Sequence, residues 1–153
     1  MIDHKAKAVE LFNSGYNCSQ SVMVAFCDLT GLEPEFASRI ASSFGGGMGR
    51  MRLVCGAVSG MLMVTGLLYG YSAPEDVEGK RELYKLEQLL AGKFKERTGS
   101  LICGELLKSK DTDPNPSPRT AEYYALRPCA RMVYLACELL DEYILEHPPV
   151  AHE

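Results

Sequence analysis

Apolar positions recur along this chain at helical rather than strand spacing. Ala6, Val9, Leu11 and Phe12 stand among polar neighbours over residues 4–13, which predicts a short amphipathic helix ending near Gly15. Asn17 precedes Gln20 by three positions, the spacing of a capping box, and the run Val22, Met23, Ala25, Phe26, Leu29 predicts a second helix to Gly31 with Cys18 in its first turn. Glu33-Pro34-Glu35 opens a third, with proline and acids where the helix dipole favours them. It should stop near Phe44, because Gly45-Gly46-Gly47-Met48-Gly49 cannot hold helical geometry cheaply. A central apolar helix is expected from about Leu53 to Tyr69, with Cys55 in its first turn.

Ser72 and Pro74-Glu75-Asp76 predict the start of a long polar helix that runs to about Arg97, where Thr98-Gly99 ends it; Leu83, Leu86, Leu89, Leu90 and Phe94 form its stripe. Ser100 can cap a short helix holding Cys103, Leu106 and Leu107. Residues 108–119, with Asp111-Thr112-Asp113-Pro114-Asn115-Pro116-Ser117-Pro118, read as an exposed loop. The last helix begins around Pro128, with Cys129 directly after it, and runs out before His147-Pro148-Pro149. Strand-like alternation and internal repeats are both missing. The expectation is therefore an all-α fold, a single-domain bundle of about six or seven helices spanning residues 1–153.

Composition narrows the function classes. A chain of 153 residues can bury roughly 70% of the surface its unfolded form exposes. It needs no disulfide merely to fold. A net charge of -4 gives no electrostatic reason to expect nucleic acid. Residues 53–71 carry no charge, but Gly56, Gly60, Gly66 and Gly70 lie among them, which favours a buried central helix over a membrane span. The N-terminus, Met-Ile-Asp-His-Lys, is charged from the start and lacks the apolar core of a secretory signal, so a cytoplasmic location is expected. Thiols stay reduced there. Six cysteines then read as metal ligands or redox groups more readily than as staples, although any one of them can be a small buried hydrophobe.

Position sorts these cysteines. Cys18, Cys55, Cys103 and Cys129 each fall in the first turn of an expected helix, whereas Cys27 and Cys137 fall mid-helix among apolar residues and should be buried and unreactive. Unpaired N–H groups and the dipole at a helix start favour an anion, and can lower a thiol pKa from about 8.5 by one to several units. Cys55 is the leading candidate. Gly56 and Gly60 share a helix face with little bulk, suiting either close approach of a ligand or partner thiol to Cys55 or simple tight packing, and Arg50 and Arg52 could lower its pKa further. The glycine-rich segment lacks the lysine of a phosphate-binding loop and reads better as a turn delivering Cys55. Histidines at 4, 147 and 152 lie near the termini and give histidine-based catalysis little support.

Cys55-Gly56-Ala57-Val58-Ser59-Gly60, preceded by Cys18 and followed by Cys103 and Cys129, resembles the C_GCAxxG_C_C family of proteins regarded as redox-active. The resemblance covers nearly the whole chain. It implies that Cys18, Cys55, Cys103 and Cys129 are the four signature cysteines.

Three functions compete. In the first, clustered cysteines perform thiol–disulfide or electron-transfer chemistry on a redox partner protein or a small-molecule electrophile, with a low-pKa thiolate attacking and a second cysteine resolving. In the second, the same four thiolates hold a metal such as zinc or an iron–sulfur cluster, although the closely spaced pair common in such sites is missing. In the third, the chain is a helical interaction protein with inert cysteines. Both chemical readings require the four cysteines to meet in space. The glycine face and the methionines near it also suggest a homodimer.

Overall fold

A computed structural model describes residues 2–150, and among them the only ordered elements are helices and one isolated bridge. Helix α1 (His4–Asn13) is capped by the Asp3 carboxylate, which accepts from the Ala6 amide. Helix α2 (Cys18–Ala25) carries the expected capping box: the Gln20 amide donates to Asn17 at 2.8 Å and the Asn17 amide to Gln20 at 3.0 Å. The chain breaks at Phe26, and Cys27 opens a separate turn, α3 (Cys27–Thr30). Cys27 is therefore not mid-helix, a correction to the sequence expectation. Helix α4 (Pro34–Ala41) begins on its proline and ends in a 3-10 turn over Ser42–Phe44, as the composition foretold.

Next comes α5 (Gly45–Met48), a single turn whose middle is left-handed. Helix α6 (Gly56–Tyr69) starts later than Leu53, because residues 53–55 are extended and pair with 101–103 across the Val54–Ile102 bridge. Helix α7 (Val77–Thr98) is capped by Asp76 rather than Ser72 and ends at Gly99. Its buried stripe is the narrow i, i+4, i+8 set Leu86, Leu90, Phe94, and Leu89 is exposed. Short helices α8 (Cys103–Leu107) and α9 (Ala121–Leu126) precede α10 (Cys129–Glu146). Helix α9 was not anticipated; Thr120, which accepts from the Tyr123 amide, was its sequence signal.

Among the described residues the fold is all-helical, and six of the helices there have eight or more residues. Its core lies where α6 packs on α2 and where α10 covers α1, α2, α6 and α7. Ala57, Val58, Met61 and Val64 of α6 are all but fully buried, so the uncharged stretch is a core helix. No helix among the described residues is long and apolar enough to cross a membrane. The glycine face of α6 is used within the chain: a Cβ on Gly56 would meet the Phe44 carbonyl at 2.9 Å and Cys18 Cβ at 3.2 Å. That close approach brings the start of α6 against the start of α2. At the far side, buried His4 stacks on Phe26 and bonds Asp141 at 2.6 Å and Asp28 at 3.0 Å, tying α1, α3 and α10 together. His152 lies outside the described residues.

Candidate functional site

Four helix starts meet at one cavity of about 490 Å³. Cys18, Cys103 and Cys129 are the first residues of α2, α8 and α10, Cys55 immediately precedes α6, and all four line the cavity. Local structure places each one. The capping box fixes Cys18, and the Asn17 amide group reaches on to the Ser42 carbonyl at 3.2 Å. The bridge sets Cys55 and Cys103 side by side, the Cys55 amide donating to Leu101 at 2.8 Å and the Cys103 amide to Leu53 at 2.6 Å. Gly47, with φ +74°, lies against that bridge so closely that a Cβ would come within 2.6 Å of Cys103 Cβ. Only glycine combines that conformation with that space. Pro128 occupies the N-cap position of α10, without a side-chain capping bond, and makes Cys129 the first helical residue.

Arginines close the other side. Arg50 and Arg52 both adopt left-handed φ, +62° and +59°, which costs about 1–2 kcal/mol for a residue with a side chain. Hydrogen bonds to the 108–119 loop offset this: Arg50 Nε donates to the Asp113 carbonyl at 2.5 Å and Arg52 Nε to the Asp111 carbonyl at 2.8 Å. The loop is exposed, as expected, yet it is strapped across the cavity, and Ser117 Oγ accepts from both Arg50 and Arg127. Arg119 lies 4.7 Å from the Phe12 ring centre and 4.8 Å from that of Tyr123, while Arg127 lies 4.5 Å from the latter.

The four thiols are electrostatically unequal. Cys129 is lowered to about 7, first because the Cys18 thiol hydrogen-bonds to it, and then because Arg127, Arg119 and Arg52 are near; burial opposes them. Donating that bond and being buried both raise Cys18 well above an ordinary thiol. Burial pushes Cys55 up to about 12, against the backbone N–H groups of Ala57 and Val58. Burial also raises Cys103, against an Arg52 Nη1 that donates to its sulfur at 3.7 Å.

With this geometry in view, the family relationship is clear: the family model described as "Putative redox-active protein (C_GCAxxG_C_C)" matches residues 16–143. The chain belongs to that family. No curated protein and no solved structure matches it significantly. The C_GCAxxG_C_C match contains every cavity cysteine and the four arginines that line the cavity.

Within this C_GCAxxG_C_C chain the expected grouping of cysteines holds, but the expected ranking reverses. Cys55 was to be the low-pKa thiol, assisted by Arg50 and Arg52; instead it is buried and raised, and Arg52 acts on Cys103 and Cys129. A helix start favours thiolate only where desolvation does not outweigh it. Sequence reasoning missed Arg119 and Arg127, although Arg127-Pro128-Cys129 already set a cation two positions before a cysteine at a helix start. Cys137 is fully buried, as expected, and raised by desolvation. Cys27 is only half-buried, with its thiol toward the Met23 carbonyl at 3.7 Å, and burial raises it too.

All six cysteines are free thiols. A four-thiolate metal site needs its sulfurs around one point, at about 2.3 Å from a zinc ion. No three His, Cys, Asp or Glu side chains among the described residues are grouped so as to hold a metal ion.

Proposed function

We propose that this protein performs dithiol–disulfide exchange, with Cys129 as the attacking thiolate and Cys18 as the resolving thiol. The observation that carries this reading is that Cys18 and Cys129 are the first residues of α2 and α10 and line the same cavity, with the pKa of the Cys129 thiol held down beside Cys18, Arg127 and Arg119. That environment favours Cys129 as the thiolate and leaves Cys18 as the proton-bearing thiol. Cys129 attacks one sulfur of a substrate disulfide, the substrate S–S bond breaks, and the first substrate thiolate leaves and takes up a proton. Cys18 then gives up its proton and attacks Cys129 Sγ. The mixed disulfide breaks, the second substrate thiol departs, and a Cys18–Cys129 disulfide remains. The substrate disulfide gains two electrons and the two protein thiols lose them.

Cys55 and Cys103, raised and fixed by the bridge, serve in this reading as walls of the cavity. The test is to oxidise reduced protein with one equivalent of diamide and map the product by peptide mass spectrometry. A Cys18–Cys129 crosslink is expected. A dominant crosslink between any other pair, or no intramolecular disulfide at all, overturns the assignment.

A further inference from the structure

The cavity wall has a charge bias that thiol chemistry alone does not explain. Arg50, Arg52, Arg119 and Arg127 all line it, and among the described residues no Asp, Glu or Lys does. This is a pocket of positive potential in a protein of net charge -4. Arg52 is only 6% exposed, yet its bonds go to the Asp111 carbonyl and the Cys103 sulfur, and no carboxylate among the described residues lies within ion-pair reach of it. A guanidinium buried without a counter-charge is costly unless an anion comes to it. Arg119 and Arg127 are likewise without carboxylate partners among the described residues, and Arg50 has one, Asp111 at 3.5 Å, outside the cavity wall. The N-termini of α2, α6 and α10 add partial positive charge to the same space.

Resting on the exchange reading above, we infer that the substrate is anionic: the arginine-lined cavity takes a low-molecular-weight disulfide bearing carboxylates. Guanidinium groups bind carboxylates in paired, charge-assisted hydrogen bonds, which would hold the ends of such a molecule while its sulfur reaches Cys129. A volume of about 490 Å³ is that of an organic ligand pocket, much more than a lone inorganic oxyanion fills. The same field stabilises the thiolate that leaves. In the balance already given, both substrate thiols are then released as anionic small molecules.

The test compares three probe disulfides with reduced protein at neutral pH and low ionic strength: glutathione disulfide (anionic), hydroxyethyl disulfide (neutral) and cystamine (cationic). Glutathione disulfide should oxidise the protein at least about tenfold faster than cystamine, and the ratio should shrink in about 0.5 M salt. Equal rates, or cystamine fastest, would overturn the inference and leave the exchange reading intact. A second arm titrates the Cys18→Ser/Cys129→Ser protein, which lacks the proposed exchange pair, with glutathione disulfide by calorimetry. Binding there that inorganic sulfate weakens supports the anion site even if the wild-type protein exchanges with no probe, an outcome that sinks only the exchange reading. If cystamine binds this variant as tightly as glutathione disulfide, or if neither binds, the anion site is wrong.

Discussion

Cys129 and Cys137 lie on the same helix, α10, eight residues apart, and their surroundings drive them in opposite directions. Cys129 heads the helix, where backbone N–H groups are unpaired, with the Cys18 thiol and three guanidinium groups in reach. Cys137 sits two turns further on, fully buried in the core, with Asp141 as its main adverse charge. Both are desolvated. The difference is compensation: at Cys129 donors and cations outweigh burial, and at Cys137 nothing does. Cys55 marks the boundary between these cases, since it stands at a helix start and still rises because its only compensation is two backbone amides.

The largest expected break in this comparison is Cys129→Ser. Near neutral pH a thiol with a pKa of about 7 is roughly half thiolate, against a few per cent for an ordinary cysteine, so the variant should lose a fast alkylation phase and react at least about tenfold more slowly. A thiol-reagent time course that keeps its fast phase in the variant would assign that phase to another cysteine. Next in size is Cys18→Ala, which removes the leading cause of the shift. The pH midpoint of Cys129 alkylation should move up from about 7 toward the ordinary value of about 8.5, cutting the rate at neutral pH several-fold. An unmoved midpoint would transfer the credit to Arg127 and Arg119.

Cys137→Ser places a hydroxyl in the core and should cost about 1–3 kcal/mol in urea denaturation while Cys129 alkylation is unchanged. A loss of the fast phase here would couple the two ends of α10. The smallest effect is on stability against pH. The folded pKa of Cys129 lies below its unfolded value, so its stabilising contribution is fully present above about 8.5 and is lost as pH falls through about 7. The stability gap between wild type and Cys129→Ser should therefore widen from pH 7 to 8.5, and a gap that narrows over that window would contradict the sign.

Much of this is legible in the sequence. The capping box at Asn17, the proline at the start of α4 and the helical spacing of apolar residues depend on local chemistry, and they appear where expected. The same logic found the four cavity cysteines, because each lies at a chain break that proline, glycine or a cap announces. What sequence could not supply was distance. The bridge between Val54 and Ile102, which moves the start of α6 and sets Cys55 beside Cys103, joins segments 48 residues apart in the chain. The ranking of thiols needed burial and partner identity, and so it inverted. Cys27 was misplaced because the apolar run through Phe26 continues past a backbone break whose C-terminal end is marked only by Gly31.

The central claim is that the cavity holds one activated thiol, and that it is Cys129. Reduced native protein is treated at neutral pH with less than one equivalent of iodoacetamide, quenched, unfolded, and its labelled cysteine located by peptide mass spectrometry. The account predicts the label on Cys129, ahead of Cys18, Cys55 and Cys103. Label found first on Cys55, or spread evenly over the accessible cysteines, would contradict it.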